Sequence, residues 1–302
     1  MAASPLHLPL FLASVSPEAQ PFFGNPTGFL SFFTSSVAVA IVVTTIIVFF
    51  ARKATTNMQL VPKSATSAQN IFETVIEFLY GQIERIVGAK VAPKAFPLLA
   101  TLFIFILVSN WFGLLPLVGT VGWGHGNGFM SIGSGEHDMV APILRPPTAD
   151  LNMTLGLSLS AFIVWIYITL SEVGVWGFLV HTFGPKGGLK GVMGAIVALV
   201  FLFVGLIEVV SILFRPLSLS VRLYGNIFAG ETVIHAMGSL LDGLPQPWSF
   251  LGSVLLPLPF YFMELLVGLL QAIVFTLLCA VYIQLSTTHD DHGEEDHGDH
   301  AH

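Results

Sequence analysis

The feature that most constrains this chain is a stretch without charge that is as long as a bilayer is thick. Residues 29–50, FLSFFTSSVAVAIVVTTIIVFF, hold no ionisable side chain, and Arg52 and Lys53 follow at once. A helix of about 20 apolar residues crosses the hydrocarbon core, so this stretch predicts one membrane crossing. Composition extends that reading to the whole chain. Of 302 residues, 54% are hydrophobic and 10% charged, and the mean hydropathy is +0.82, whereas an aqueous domain carries about 25% charged residues. The net charge of −7 mostly reflects an acidic tail and argues against a nucleic-acid partner. The one cysteine, Cys279, lies in an apolar run, where it forms no internal disulfide or cysteine metal cluster and reads as a small core residue.

The fold class expected is all-α, with about five membrane-embedded helices and one amphipathic surface helix. Residues 1–28 read as an extracytoplasmic arm, because the apolar patch LHLPLFLA lacks the basic residues that precede a signal peptide's apolar core. Residues 29–286 form a single membrane domain, and 287–302 a disordered tail rich in histidine and acid. Spans are expected at about 29–50, 96–118, 151–170, 192–240 and 251–286. Between the first two, Ile71, Val75, Phe78, Leu79, Ile83, Ile86 and Val87 recur at helical spacing, while Glu73, Glu77, Glu84 and Arg85 fall elsewhere. This predicts an amphipathic helix at about 67–87, lying on the membrane surface or on a partner. The segment from Gly119 to Val140 is rich in glycine; His125 and His137 there are twelve residues apart, a spacing that fits a solvated loop better than a metal site.

Arg52, Lys53, Lys63, Arg85, Lys90, Lys94, Lys186 and Lys190 fall on one side of these spans and Arg145 alone on the other. The positive-inside rule makes the first side cytoplasmic, with the N-terminus outside and the C-terminus inside.

The fourth and fifth spans are too long to cross upright. Residues 192–240 would make a helix of about 73 Å, and 251–286 one of about 54 Å, against a hydrocarbon core of about 30 Å. Either the first breaks at Pro216 or it lies strongly tilted; the turn LDGLPQPWSF would join the two as a hairpin. They carry Glu208, Arg215, Arg222, Glu231, His235 and Glu264. A charge at mid-membrane costs about 2.5–3.5 kcal/mol on insertion scales, so these side chains must face protein or water.

At about 100° per residue, Glu208, Arg215 and Arg222 form one stripe. Glu231 lies on the opposite face about 13 Å further along, joined by His235 one turn later. On the last element Glu264 and Gln271 share a stripe. Two separate polar pathways follow, one on each face, with Arg222 between them. An arginine holds its proton below a pKa of about 12, so Arg222 serves to attract a carboxylate and to block positive charge. Gly225 and Ala229 have the spacing of small residues that lets another membrane helix approach. A structural reading would pair Arg222 with Glu208 or another buried acid; for Arg215, beside Pro216, the structural reading carries more weight.

These residues resemble subunit a of F-type ATP synthases, the stator component beside the rotating c-ring. The resemblance rests on RPLSLSVRLYGNIFAGE, with Arg222 at the essential-arginine position, and on FILVSNWFGLLP, PTADLNMTLGLSLS, LIEVVSILFRP and LLQAIVFTLLCAVYI. It covers residues 64–286 and implies proton translocation through two offset half-channels. A proton would pass Glu231, Glu264, Asn226 and His235 to a carboxylate on the c-ring, and leave past Glu208 when that carboxyl returns to Arg222. Gln271 would lie near Arg222 and hold it by hydrogen bonds. The last two spans would form a tilted hairpin against the c-ring.

The resemblance also implies c-ring subunits, b-type peripheral-stalk subunits, other ATP synthase subunits and membrane lipid as partners. It implies a bacterial inner membrane, no cofactor, no metal and no catalysis by the chain itself. Members of that family often pair an acid with a histidine at the positions of Glu231 and Glu264; here both are acids. A secondary transporter would also place charges in the membrane, but would repeat its halves, and no repeat is found. A membrane metalloenzyme would use Glu231, His235 and Glu264 as ligands, yet ETVIH is not the H-E-x-x-H arrangement.

Overall fold

The structure is a computed structural model and describes residues 34–56, 68–115, 118, 121–124, 130–132, 139–142, 144–183, 192–238, 240 and 248–287. The expected N-terminal arm, His125, His137, Lys63, Lys186, Lys190 and the tail beyond residue 287 lie outside the described residues.

Helix α1, Ser35–Thr55, takes up the first uncharged stretch. Thr34 Oγ1 accepts a hydrogen bond from the Val37 amide at 3.3 Å and so caps it. Thr44 and Thr45 donate their hydroxyls to the carbonyls of Ala40 and Ile41 at 2.8 and 2.7 Å, which satisfies polar atoms in an apolar helix. The helix carries Arg52 and Lys53 in its last turn, past the end of the apolar stretch.

Helix α2, Ala68–Val87, is the amphipathic one. Its apolar residues divide: Leu79, Ile83 and Val87 are buried, whereas Ile71, Val75 and Phe78 are exposed. Gly88, at a φ of 85°, ends it in the left-handed conformation that glycine adopts without strain. Helix α3, Ala92–Gly113, begins and ends a few residues earlier than the expected 96–118.

The glycine-rich segment differs from the expected loop. Strands β1 (Val121–Gly124), β2 (Met130–Ile132) and β3 (Met139–Pro142) form an antiparallel sheet in the order β2-β1-β3. Trp123 pairs with Met130 on one side and Ala141 on the other. The short β-forming stretches between the glycines are what the periodicity argument for helices passed over.

A 3-10 turn at Pro147–Ala149 leads to Asp150, whose Oδ1 accepts from the Asn152 amide at 2.9 Å and caps helix α4, Leu151–Val173. A short helix that the sequence did not announce, α5 (Val175–Phe183), follows Gly174.

Helix α6, Val192–Gly238, is 47 residues long and runs unbroken through Pro216. A proline removes one backbone hydrogen bond, and in a membrane neighbouring elements compensate for it. The expected break at Pro216 is therefore not found, and a helix of this length, about 70 Å, is more than twice as long as a hydrocarbon core of about 30 Å is thick. The last element is divided instead. Helix α7, Trp248–Leu255, stops before Pro257, and helix α8, Leu258–Thr287, starts after it, with the Tyr261 amide bonded to the Pro257 carbonyl at 2.9 Å.

Among the described residues five helices are long and apolar enough to cross a membrane: α1, α3, α4, residues Leu199–Gly238 of α6, and Leu258–Ser286 of α8. The main architecture is therefore all-α. The chain packs as two compact units. The first comprises Met1–Arg52, Ile104–Thr154 and Val221–Ile273, with Val39, Val43, Ile106, Leu223 and Ile227 in its core. The second comprises Lys53–Phe103, Leu155–Ser220 and Val274–His302, with Ile83, Leu99, Trp165, Phe275 and Ile283 in its core.

Candidate functional site

In the first unit α6 is seated by Leu223, Ile227 and Gly230, all buried and spaced by four and three residues. That stripe fixes the helix's rotation, and Arg222, Asn226 and Ala229 are turned outward, exposed. Among the described residues Arg222 makes no ion pair or hydrogen bond, so the reading that buries it against Glu208 or another acid does not hold.

Helix α8 turns its polar residues the other way. Glu264, Gly268, Gln271 and Ala272 lie buried on one stripe, while Leu265, Leu266 and Leu270 are exposed. Gln271 Oε1 accepts a hydrogen bond from Asn226 Nδ2 at 2.7 Å. Gln271 thus holds the residue one turn beyond Arg222, where the resemblance implied a bond to Arg222 itself.

Glu264 is 6% exposed, and its carboxylate lies so close to Gly230 that any Cβ there would overlap it. With no Cβ at position 230 the carboxylate can lie against the α6 backbone, and a larger residue there would require it to move. Glu231 follows Gly230 directly, and its charge acts on Glu264. Glu231 Oε2 and Glu264 Oε1 are both buried without a hydrogen-bond donor among the described residues. Carboxylate oxygens in that condition are ones a proton or a water can serve. His235, one turn beyond Glu231, is exposed. Among the described residues no three His, Cys, Asp or Glu side chains converge to hold a metal ion.

Helix α3 steadies this part of α8 from the side. Asn110 Nδ2 donates to the Gly268 carbonyl at 3.1 Å, and Trp111 Nε1 to the Leu265 carbonyl at 3.2 Å. Both bonds fall between Glu264 and Gln271 on the α8 backbone, a role that the place of Asn110 and Trp111 in an apolar span does not announce. Arg145 was missed as well. It is 5% exposed, and its positive charge acts on Glu231. The available signal was the pair Pro146–Pro147 next to it, which stiffens a segment that a charge count treats as loop.

The second unit holds Glu208, half-buried on α6, and a differently treated arginine. The Arg215 guanidinium carbon lies 4.7 Å from the ring centre of Tyr282 and 5.6 Å from that of Trp165. Trp165 Nε1 donates to the Tyr282 carbonyl at 2.9 Å, which locks the two aromatic residues together. Elsewhere in this unit Glu172, at the end of α4, pairs with Lys94 and, at 3.9 Å, with Lys90.

The family described as ATP synthase A chain matches residues 32–284. The chain is similar to the ATP synthase subunit a of Mycobacterium ulcerans (strain Agy99), with 30% identity over 260 residues, 85% of this chain and 87% of that relative. Its counterpart in Gloeobacter violaceus is 32% identical over 239 residues, 79% of this chain and 78% of the relative. An ATP synthase subunit a of Anaeromyxobacter dehalogenans (strain 2CP-C) is 31% identical over 229 residues, 74% of this chain but 51% of the relative, so the chain spans about half the length of that protein.

Proposed function

The chain belongs to the ATP synthase A chain family, and from that membership we propose that it conducts protons across a membrane as the a subunit of an F-type ATP synthase. Arg222 carries the proposal. It is exposed on a face with Asn226 and Ala229, on a helix long and apolar enough to cross a membrane, and has no ion pair among the described residues. A permanent cation left open in such a place calls for an opposite charge from another chain. A carboxylate on a c-ring subunit answers that need, and the small residues Gly225 and Ala229 leave room for its helix.

A proton moves inward past Glu231 and Glu264, whose buried oxygens lack protein donors among the described residues. Asn226 and His235 lie along the same route, and Arg145 supplies a fixed positive charge beside Glu231. The proton neutralises a c-ring carboxyl, which then turns through lipid. On its return that carboxyl meets Arg222 and ionises, and the proton leaves past Glu208. Arg222 blocks direct passage between the two routes, because it repels a proton and releases none. Gln271, fixed by Asn226, keeps the helix face around Arg222 in place. Each elementary charge falling through 100 mV yields about 2.3 kcal/mol, so several transfers combine for one ATP.

In this reading the chain does no chemistry on ATP; other subunits do. Its partners are the c-ring, b-type peripheral-stalk subunits, the remaining subunits of the complex and membrane lipid. Residues 29–286 act as one membrane domain in a bacterial inner membrane, with an outer arm before it and a cytoplasmic tail after it, an orientation supported by the bias of Lys and Arg to one side. The test is Arg222→Ala in the intact assembly: ATP synthesis driven by a proton gradient should fall to background, and continued synthesis would sink the assignment.

A further inference from the structure

Polar atoms buried without a partner are few in a folded protein, because each gives up water and gains nothing in return. The first unit gathers them. Among the described residues Ser109 Oγ, Asn110 Oδ1, Thr148 Oγ1, Asp150 Oδ2, Glu264 Oε1 and Gln271 Nε2 are buried there without a hydrogen-bond partner. None of these six residues is more than 6% exposed. Asp150 is a buried acid that the proton route described above does not use. Its Oδ1 is engaged by the Asn152 amide at the start of α4, and its Oδ2 is left over.

The elements that carry these atoms touch in sequence. Asn110 Nδ2 donates to the Gly268 carbonyl at 3.1 Å, and a Cβ at Gly268 would lie 3.1 Å from the Asn110 Cβ. Gly268 is one turn, about 6 Å, from Glu264 along α8 and about 4.5 Å from Gln271. Ser109 precedes Asn110 and shares a face of α3 with Gly113, one turn on. That face meets the segment before α4, since a Cβ at Gly113 would lie 3.0 Å from Pro146 Cβ and Cγ. Thr148 and Asp150 follow Pro146 by two and four residues. The unpartnered atoms thus run from the start of α4, past the end of α3, to the acid of α8. Their chemistry alternates: the carboxylates and the Asn110 oxygen accept, the Gln271 amide donates, and the two hydroxyls do both. A buried water bonds about three groups of this kind and satisfies them together.

We propose that ordered water joins these six side chains into one hydrogen-bonded file, and that Asp150 is the residue through which protons enter it on their way to Glu264. In the proton-conducting reading, on which this rests, the connection between α3 and α4 faces outside. Asp150 Oδ2 takes a proton from outer water, forming an O–H bond. That bond breaks as the next water in the file accepts the proton, and Glu264 Oε1 receives one at the far end. Each water between them gains one proton and gives one, so the file is unchanged after a transfer. Thr148, Ser109 and Asn110 hold the waters in line, and the carboxylate of Asp150 gives the incoming proton its first fixed site.

The test uses the intact assembly, with proton flux in liposomes and a cryo-EM map that resolves water as its two readouts. Asp150→Asn keeps an oxygen to cap α4 but carries no proton. Flux should fall about a hundredfold, the low end of what a positioned proton-transferring side chain contributes, with the thermal midpoint of the assembly unchanged. A residue that only caps its helix would leave flux intact. Asp150→Glu should recover part of the loss. Thr148→Val keeps the shape but removes a hydroxyl from the file, and should lower flux about tenfold, the scale of one hydrogen bond; it decides the matter if Asp150→Asn does not assemble. The map should show water bonded to Thr148, Ser109 and Asp150. Full flux in Asp150→Asn, full flux in Thr148→Val, or a map without water at these side chains would overturn the proposal. An unaltered assembly that moves no protons would instead overturn the proton-conducting reading, so the two failures are told apart.

Discussion

Arg215 and Arg222 belong to one helix and carry the same charge, but the protein treats them in opposite ways. In the second unit Arg215 is half-buried with two aromatic rings against its guanidinium. In the first unit Arg222 is exposed, without an ion pair or hydrogen bond among the described residues. The acids divide in the same manner: Glu172 is paired with lysines, whereas Glu231 and Glu264 keep buried oxygens without donors. A charge that the chain satisfies itself holds the fold, and a charge it leaves open is available to something that comes and goes.

The widest separation between the two classes should come from the arginines themselves. Arg222→Ala should abolish proton-driven ATP synthesis while the assembly purifies normally. Arg215→Ala should lower the thermal stability of the assembly, with synthesis per assembled complex retained. Parallel loss of synthesis in both would erase the distinction.

Gly230→Ala comes next. The added methyl must displace the Glu264 carboxylate, and displacing a working group by about 1 Å costs up to about 10²-fold, so proton flux through reconstituted membranes should fall about tenfold or more. Gly156→Ala, where a Cβ meets nothing within 4 Å, should leave flux unchanged and serves as the comparison.

Trp165→Phe should have a smaller effect, confined to stability. It removes the 2.9 Å hydrogen bond to the Tyr282 carbonyl and weakens one ring contact with Arg215, together about 1–2 kcal/mol, visible as a lower midpoint in thermal unfolding of the assembly. The least effect is expected from Lys94→Gln. Lys94 is 57% exposed in its side chain, and a pair of that kind contributes about 0–1 kcal/mol. A large loss of synthesis in Lys94→Gln would move Glu172 from the satisfied acids to the open ones.

Much of this division was legible in the sequence because helical period and bilayer thickness are strict rulers. They located the five long apolar helices, set Glu264 and Gln271 on one stripe and exposed the excess length of α6. What they could not read depended on distant neighbours. Whether Pro216 breaks its helix is decided by what packs around it, and α6 continues through it. The partner of Gln271 is Asn226 because two helices meet at that height, which no single-helix wheel contains. Arg145 sits in a short segment with no period of its own, and the sheet in the glycine-rich region follows a period of two over strands of three or four residues. A short apolar helix such as α5 also has too few turns to declare itself.

The overlap between Gly230 and the Glu264 carboxylate also has an evolutionary side. Thirty-four positions separate the two in the chain, yet a side chain gained at 230 takes the space in which the acid at 264 now lies. A lineage that makes that change while keeping the acid must turn the carboxylate elsewhere, so a substitution at one position alters what the other can do.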